Sequence, residues 1–332
     1  MPALRERLEA IWYGGAPPPW PLRVLELVYR GALGLRRWLY GAGILGSARI
    51  GVPVLVIGNL TVGGTGKTPL VAALAVELRQ RGWHPGIALR GYGGRRRRPG
   101  MVEPHADSAA HGDEALLLVR ATGVPVATGR RRAAAAALLA RRGCDVVLCD
   151  DGLQHWALAR DLEVLVVDGN RRFGNGHLLP AGPLREPVSR ALGVDHIVTN
   201  GGAPRAGEVP MRVVGQRALA LDGSGRALAL DALRGREVHA VAGIGNPDRF
   251  FALLQGFGIR VRPHPWPDHY PFEGRELAFD DDLPVLLTEK DAVKCSRFAD
   301  ARTWVVPVEA ELPLAFIDRL HEQLHALSRR VA

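Results

Sequence analysis

Blocks of hydrophobic residues alternate with polar turns along the chain, and their spacing predicts strands and helices in succession. The first clear block, residues 52–57, is a run of branched apolar side chains that predicts a strand buried on both faces. A glycine-rich turn follows, and then a helical pattern over residues 69–81. The same succession recurs up to residue 200, which predicts an α/β fold with a parallel sheet flanked by helices. In such a sheet the functional site lies at the carboxyl ends of the strands.

After residue 200 the pattern changes. Residues 201–209 form a Gly/Pro-rich break, and two short pieces at 211–214 and 218–221 predict a linker or a hairpin. A second series of strands and helices starts at Glu237, so we predict a second, smaller α/β domain joined by a short β linker. The predicted boundaries are 1–40 for an N-terminal amphipathic helical region, 41–200 for the first domain, 201–236 for the linker and 237–332 for the smaller domain.

The individual elements are predicted from the same pattern. Strands of the first domain are predicted at residues 52–57, 85–89, 124–127, 145–149 and 163–167, with 194–199 closing the sheet, and a further helix at 130–142. Strands of the smaller domain are predicted at residues 238–242, 284–288 and 303–306, with a turn at 289–291 and helices at 247–255 and 312–328.

The turn after the first strand has the composition of a phosphate-binding P-loop. Its glycines let backbone N–H groups face an anion, and the following helix presents its positive end to the same point. Lys67 supplies a charge for the β- and γ-phosphates of a nucleotide, and the Thr68 hydroxyl a ligand for Mg²⁺. Thr61 stands where the usual pattern has its first glycine, and a dinucleotide-type turn is the alternative that the Lys-Thr pair disfavours. The candidate nucleotide-binding residues are Gly63, Gly64, Thr65, Gly66, Lys67, Thr68 and Pro69.

Carboxylates follow two other buried segments. Asp150 and Asp151 end the strand at 145–149 as in a Walker-B strand, where they can hold Mg²⁺ across from the Lys-Thr turn. For Asp151 and His155 the alternative is a turn with capping hydrogen bonds. Asp113 precedes an apolar helical run, so its carboxylate either complements the helix dipole or points into the crevice at the strand ends. These features predict a P-loop NTPase-type sheet.

Three polar loops leave more than one interpretation open. The loop that starts with Arg90, Gly91 and Tyr92 holds an acidic substrate or is a solvated surface, and no role is assigned to the arginines at 95–98. The glycine turn before Pro247 is predicted to start a helix, with Asn246 as its N-cap, rather than to bind phosphate. The loop at 264–270 looks functional, but its two histidines and aspartate lack a second ligand cluster, so zinc is not predicted.

Composition is that of a folded protein with anionic partners. The 332 residues are 47% hydrophobic and 23% charged, which excludes a disordered chain. A formal net charge of +9 favours phosphates, anionic lipid or nucleic acid, but no recognisable nucleic-acid-binding module accompanies it, so no nucleic-acid partner is predicted. Cys144, Cys149 and Cys295 lack metal-ligand or disulfide spacing, which predicts packing roles in a reducing compartment.

The N-terminal region predicts an amphipathic helix that starts after Trp20. Its apolar positions recur at helical spacing, and the opposite face is predicted to carry Arg23, Glu26, Arg30 and Arg37. No apolar run reaches the length of a membrane span, and no secretory signal is recognisable. The helix is predicted either to pack on the protein's own core or to lie on a membrane surface. The apolar positions are Leu25, Val28, Ala32, Leu35 and Leu39.

A set of short segments resembles one enzyme family. The segments are VGGTGKTP, RGYGG, HGDEA, DDGLQH, GPLREP, WPDHYPF and TEKDAVK. Their combination is similar to the tetraacyldisaccharide 4′-kinases, the inner-membrane-associated enzymes that phosphorylate the lipid A precursor. The resemblance extends from the N-terminal helix to about Lys294, and it includes the glycine that is missing at Thr61.

The resemblance implies transfer of the γ-phosphoryl group of ATP, with Mg²⁺, to the 4′-hydroxyl of tetraacyldisaccharide 1-phosphate. It implies that Asp113 is the catalytic base and that His269 supports it from the second domain. It also implies a lipid substrate, contact of the N-terminal helix with the anionic inner-membrane surface, and a peripheral or monotopic location at its cytoplasmic face. The candidate residues are Asp113, His269, Lys67 and Arg185 for catalysis, Thr68, Asp150, Asp151 and Glu186 for the metal, and Arg90, Gly91, Tyr92 and His155 for the substrate.

The competing interpretation is a P-loop ATPase switch of the partitioning or metal-cluster-carrier type, which shares the GG-x-GKT turn. Such switches usually carry a lysine just before the two glycines, where this chain has Val62. A switch hydrolyses ATP without a lipid acceptor, so a transfer assay separates the two interpretations.

Overall fold

The computed structural model describes residues 2–96, 98–268 and 270–331, with the backbone alone for residues 2–6, 330 and 331. Two β-sheets organise this described chain, one of nine strands and one of six. The helices are α1 (Pro2–Tyr13), α2 (Trp20–Gly41), α3 (Lys67–Gln80), α4 (Ser108–His111), α5 (Asp113–Thr122), α6 (Arg132–Arg141), α7 (Pro247–Gly256), α8 (Glu289–Cys295) and α9 (Leu314–Val331).

The strands follow the helices along the chain in a largely alternating order. They are β1 (Val54–Gly58), β2 (Pro85–Leu89), β3 (Gly100–Met101), β4 (Val126–Thr128), β5 (Val146–Asp150), β6 (Leu162–Asp168), β7 (His196–Asn200), β8 (Val209–Val214), β9 (Arg217–Ala220), β10 (Ala227–Ala229), β11 (Glu237–Ala242), β12 (Arg260–Pro265), β13 (Val285–Thr288), β14 (Thr303–Val306) and β15 (Glu309–Glu311).

The larger sheet has the order β15-β8-β7-β6-β1-β5-β2-β4-β3. Neighbouring strands are parallel except at the two edges, where β15 and β3 are antiparallel to their partners. β1 pairs with β5 on one side and with β6 on the other. The P-loop after β1 and the aspartates at the end of β5 therefore lie side by side at the carboxyl edge. This arrangement confirms the predicted α/β class with a P-loop-type sheet.

Both faces of this sheet are covered, which explains the continuous apolar runs in its strands. All five residues of β1 are buried. On one face α3 contributes Leu70, Leu74 and Leu78 to the core, and α9 adds Leu320 and Leu324 to the same cluster. The C-terminal helix thus completes the core of the larger sheet, although the sequence analysis assigns it to the smaller domain. Cys144, Cys149 and Cys295 are buried free thiols, as their spacing predicts.

Strand pairing also places the first part of the predicted linker in the larger sheet. β8 pairs in parallel with β7 and extends the larger sheet, so residues 194–199 do not close it. β15 pairs with β8, so the chain returns to the larger sheet after β14. The smaller sheet has the order β10-β9-β14-β13-β11-β12 and consists of residues between these two crossings. The exact domain boundaries remain a prediction.

Two local predictions in the smaller sheet are wrong. Residues 289–291 are predicted as a turn but begin α8, whose N-cap Thr288 accepts a hydrogen bond through Oγ1 from the backbone N–H of Asp291. His264 is predicted in a loop but lies on β12, which pairs in parallel with β11. Both elements are short, and their apolar pattern is correspondingly weak.

Helix α2 packs on the larger sheet through the side that carries Glu26, Tyr29 and Leu33, while Arg23, Arg30 and Arg37 of the predicted polar face are exposed. Glu26, predicted on the polar face, is only 3% exposed, because its carboxylate accepts a hydrogen bond from the backbone N–H of Leu178 at 3.0 Å and pairs with His177 Nδ1 at 3.0 Å. The predicted apolar face points away from the protein, with Leu25 53% and Val28 67% exposed. In the described chain, no helix combines the length and the hydropathy needed to cross a membrane.

Candidate active site

The P-loop is held in place by side chains from neighbouring strand ends. Gly66, the residue before α3, has φ +93°, and a side chain there would collide with the amide of Asn200. The Asn200 amide itself donates to the carbonyl of Thr65 at 2.9 Å. Lys67 Nζ donates to Asn59 Oδ1 at 3.1 Å. The loop and the first turn of α3 are therefore fixed as an anion site.

Asp151 lies between two cations in the turn after β5. Its carboxylate accepts two hydrogen bonds from Arg185 Nη1 and lies 3.6 Å from Lys67 Nζ. Burial raises the pKa of Asp151, but Lys67 and Arg185 outweigh burial and hold this pKa well below its usual range. Asp151 is therefore ionised at neutral pH. Its φ of +51° is uncommon for a residue other than glycine and directs the side chain within this tight turn.

Asp150 and Thr68 fit a magnesium ion. Asp150 is buried, and its Oδ2 accepts a hydrogen bond from Thr68 Oγ1 at 3.1 Å, while its Oδ1 has no hydrogen-bond partner within the described ranges. Burial and the Glu114 carboxylate raise the pKa of Asp150 to about 7. A bound divalent cation satisfies the unpaired oxygen and favours the ionised form. Mg²⁺ commonly takes one or two protein oxygens and completes its shell with water and phosphate.

Other metal sites find no support in the described residues, which contain no group of three or more His, Cys, Asp or Glu arranged to hold an ion. Glu186, which the resemblance assigns to the metal, is buried beside the cavity rather than in its lining. Its Oε1 accepts a hydrogen bond from Gln154 Nε2 at 2.9 Å, and Gln154 Oε1 accepts one from Arg185 at 3.3 Å. Glu186 therefore orients Gln154 and, through it, Arg185.

An open cavity of about 1490 Å³ joins these groups to a second cluster of cations. Arg36, Arg90 and Arg132 line it together with His155. Arg132 is buried, and its Nε has no hydrogen-bond partner among the residues described. Burial and then the charge of Arg132 lower the pKa of His155 to about 4, so the imidazole is neutral at pH 7. Arg36, Arg90 and Arg132 all lower the pKa of His155 through their charge, so this part of the cavity wall is cationic.

Asp113 and Glu114 begin α5 and face cations from α8. Asp113 Oδ2 lies 4.0 Å from Lys294 Nζ, and Glu114 Oε1 accepts a hydrogen bond from Lys290 Nζ at 3.0 Å. Asp113 starts α5, as one of the two expectations has it, but it does not line the cavity, whereas its neighbours Gly112 and Glu114 do. His269 lies outside the described residues, as does Arg97, and the support that His269 gives to Asp113 remains a prediction.

A turn from the smaller sheet packs on the P-loop. A Cβ atom at Gly245 would lie 2.6 Å from the backbone nitrogen of Gly64, so this approach requires glycine. Asn246 and Pro247 occupy the predicted first positions of α7, but the Asn246 side chain makes no capping hydrogen bond. Its Oδ1 is buried without a partner in the part of the chain that is described. Arg249 on the same helix reaches Asp168 of the larger sheet at 2.9 Å.

Most of the sequence-predicted site residues line this cavity, but Asp113 and Glu186 do not. Several other residues at the site were not predicted from the sequence, because most of their contacts join segments that are far apart in the chain. Lys290 and Lys294 belong to TEKDAVK, the one signal that could have identified them. The lining residues that were predicted are Gly63, Gly64, Thr65, Gly66, Lys67, Thr68, Pro69, Arg90, Gly91, Tyr92, Asp150, Asp151, His155 and Arg185. The residues that were missed are Asn59, Arg132, Gln154, Asn246, Lys290 and Lys294.

Comparisons with known proteins show which family and which fold this chain resembles. The sequence profile described as Tetraacyldisaccharide-1-P 4′-kinase matches residues 19–325. A Tetraacyldisaccharide 4′-kinase from Nitrosococcus oceani is 52% identical over 92% of this chain and 90% of its own, and one from Alkalilimnicola ehrlichii is 51% identical over 97% and 99%. The crystal structure of LpxK from Aquifex aeolicus in complex with ATP has a TM-score of 0.74 and 26% identity, covering 91% of this chain and 96% of that one.

Proposed function

The chain belongs to the tetraacyldisaccharide-1-P 4′-kinase family, and from this we propose that it transfers the γ-phosphoryl group of ATP to the 4′-hydroxyl of tetraacyldisaccharide 1-phosphate. One observation in the structure supports the proposal independently of the family. The P-loop and the cationic wall formed by Arg36, Arg90 and Arg132 line the same cavity. The P-loop suits the triphosphate of ATP, and the cationic wall suits the phosphate of the acceptor. An ATPase switch has no use for a second anion site.

The nucleotide is held by residues 63–69, with Lys67 facing its β- and γ-phosphates. Thr68 and Asp150 hold Mg²⁺, which neutralises charge on the phosphate oxygens when it is bound. Asp151 keeps Lys67 and Arg185 near each other, because its carboxylate contacts both. Catalysis then depends mainly on positioning and on cations at the transferred group.

The acceptor hydroxyl must lose a proton as it reacts. In the proposed step its oxygen forms a bond to the γ-phosphorus, and the bond from that phosphorus to the β–γ bridging oxygen breaks, so ADP leaves. The proton moves to the carboxylate of Asp113, which acts as the general base. The family resemblance assigns His269 to support this carboxylate. Lys294 Nζ lies 4.0 Å from this carboxylate.

The 1-phosphate of the acceptor is assigned to Arg90, Arg132 and Arg36. The support is the burial of Arg132, whose guanidinium carries an unpaired Nε toward a cavity that also contains the neutral His155. Gly91 and Tyr92 continue the loop of Arg90 along the same wall. A bidentate arginine contact is the usual way in which proteins hold a phosphate of fixed orientation.

We also propose that α2 lies on the cytoplasmic surface of the inner membrane, so that the enzyme is peripheral or monotopic. The support is the outward apolar face of α2, where Leu25, Val28 and Trp38 are more than half exposed. The inward side of the same helix supplies Tyr29 and Arg36 to the cavity. An acceptor whose acyl chains stay in the bilayer can therefore reach the cavity along α2.

The test of this function is transfer of label from [γ-³²P]ATP to detergent-solubilised tetraacyldisaccharide 1-phosphate, with Lys67→Ala in parallel. We expect labelled lipid with the wild type and at least a hundredfold less with the variant. Release of labelled phosphate without labelled lipid would instead support the ATPase switch. Equal lipid labelling by both proteins would remove Lys67 from its assigned role.

A further inference from the structure

Helix α8 links the start of α5 to the turn that packs on the P-loop. Asp291 of α8 is fully buried, and its Oδ2 accepts a hydrogen bond from the backbone N–H of Gly243 at 2.8 Å. Its Oδ1 forms an ion pair with Lys294 Nζ at 3.1 Å. The same ammonium lies 4.0 Å from Asp113 Oδ2. One lysine therefore stands between the carboxylate of the proposed base and the turn that contacts the P-loop.

The ammonium of Lys294 is fixed by its other contacts. It donates to the backbone carbonyl of Tyr270 at 3.2 Å and lies 5.0 Å from the ring centre of Phe272. Its side chain is only 11% exposed. A lysine held on three sides has little freedom, so its charge stays at a defined distance from Asp113.

We propose that Lys294 is a positioning residue for phosphoryl transfer, which keeps the carboxylate of Asp113 ionised and oriented and couples it to the turn on the P-loop. This inference rests on the proposed function, because Asp113 is assigned there as the base. An opposite charge within 4–6 Å favours the ionised form of a carboxylate. Lys294 acts through Asp113 and need not touch either substrate.

The other charged or titratable groups at this end of α5 contact partners other than Asp113. Lys290 Nζ lies 3.0 Å from Glu114 Oε1 and 3.0 Å from Asp268 Oδ1, so its charge is shared by those two carboxylates. His111 of α4 is turned toward Thr128, with its Nδ1 2.9 Å from the hydroxyl. Asp291 adds a negative charge that Lys294 balances. Among the lysines of α8, Lys294 is thus the one that lies 4.0 Å from Asp113.

The experiment compares three substitutions in the full-length enzyme with the wild type. Lys294→Met removes the charge and keeps the length, Lys294→Arg keeps the charge, and Arg297→Met removes a charge from an exposed residue that stacks on Phe298. For Lys294→Met we expect kcat to fall at least tenfold, with the KM for ATP within about twofold. We expect the acidic limb of its kcat–pH profile to move upward by about one pH unit. Lys294→Arg should retain most of the activity, and Arg297→Met should behave as the wild type.

A double variant separates action through Asp113 from a loss of folding. In the background of Asp113→Asn, Lys294→Met should lower kcat by less than twofold further, because the group it acts on has been removed. A tenfold further loss would show that Lys294 acts elsewhere and would overturn the inference. A wild-type pH profile and kcat in Lys294→Met would also overturn it.

The outcomes also separate this inference from the proposed function. Absence of lipid labelling by the wild type would reject the function itself. An active Asp113→Asn would reject the base assignment and, with it, the inference about Lys294. A wild type that is active, an Asp113→Asn that is inactive and a Lys294→Met that equals the wild type would reject the inference alone.

Discussion

Arg185 donates from a single nitrogen, Nη1, to both carboxylate oxygens of Asp151, at 2.8 and 2.9 Å. Lys67 approaches the same carboxylate to 3.6 Å. Asp151 therefore connects the lysine of the P-loop with the segment that follows Pro183, and it neutralises part of the charge of both cations. If the proposed function is correct, Asp151 places Lys67 and Arg185 beside the transferred phosphoryl group, so we expect that replacing Asp151 separates ATP binding from turnover.

Substitution Asp151→Asn should lower kcat at least tenfold while ATP binds as tightly as to the wild type or more tightly. The amide no longer neutralises Lys67 and Arg185, so their attraction for a triphosphate increases, but Arg185 loses the partner that orients it. Isothermal titration with ATP and steady-state transfer to the lipid measure the two effects. Weakened ATP binding together with unchanged turnover would contradict this interpretation.

Substitution Asp113→Asn should lower kcat by about 10²–10⁴-fold, the usual contribution of a general base. The side chain keeps its size and its place at the start of α5, so the Kd for ATP should change less than twofold. Single-turnover transfer in the presence of saturating ATP measures the chemical step. If the rate falls by less than a factor of three, Asp113 is not the base.

Acid should destabilise the protein through His155. Its pKa is about 4 in the folded protein, because of burial and the charge of Arg132, compared with 6.5 for an ordinary histidine. Between those pH values the unfolded chain binds the proton and the folded protein does not, so stability is fully present above pH 6.5 and falls as the pH decreases toward 4. Between pH 7 and pH 4.5 the Tm of His155→Gln should therefore decrease less than the Tm of the wild type. Parallel thermal melts of both proteins check this, and equal decreases would contradict it.

Membrane attachment should depend on the outward face of α2. The double substitution Leu25→Asp and Val28→Asp should weaken binding to vesicles of phosphatidylethanolamine and phosphatidylglycerol by about tenfold or more, because each leucine or valine contributes roughly 1.5–3 kcal/mol on burial. Leu192→Asp is the matched control, since Leu192 is 91% exposed on another surface. Co-sedimentation measures the bound fraction. A similar loss in the control would show that charge rather than position matters.

The P-loop and its surroundings could be predicted because their signals are local. A buried strand, three glycines and a Lys-Thr pair define a phosphate site over fewer than twenty residues. The parallel sheet then brings the end of β5 next to the end of β1, so Asp150 and Asp151 could be expected beside Lys67. The positions of Arg90 and His155 followed from the motifs of the family.

The TEKDAVK motif could have marked Lys290 and Lys294 as candidates, but the roles of the remaining site residues could not be predicted, because they arise from contacts between distant segments. Arg132 begins an alanine-rich helix, where an arginine is usually a solvated charge, and only the packing of α6 turns it toward the cavity. Lys294 meets Asp113 across the two sheets, 181 positions away in the chain, since 294 minus 113 is 181. No periodicity carries that information.

The orientation of α2 and the path of the C-terminal segment could not be predicted from the sequence for other physical reasons. Amphipathicity identifies an apolar face but not the direction in which it points, and the burial of Glu26 decides that question here. β15 has the sequence Glu-Ala-Glu, which alternates but is too short to be recognised as a strand, and it forms because β8 offers an unpaired edge.

The paired residues Val214 and Glu309 mark the two places where the chain passes between the sheets. The chain therefore leaves the larger sheet after β8 and returns to it at β15, beside the same point. Residues 217–306 are in this sense an insertion into the larger sheet, although they lie near the C-terminus in sequence. A fragment that stops before β15 would strip Leu320 and Leu324 from α3 and leave the nucleotide-binding unit with an open core. The same unit could instead be obtained whole by joining Val214 to Glu309 through a short turn, with α9 retained.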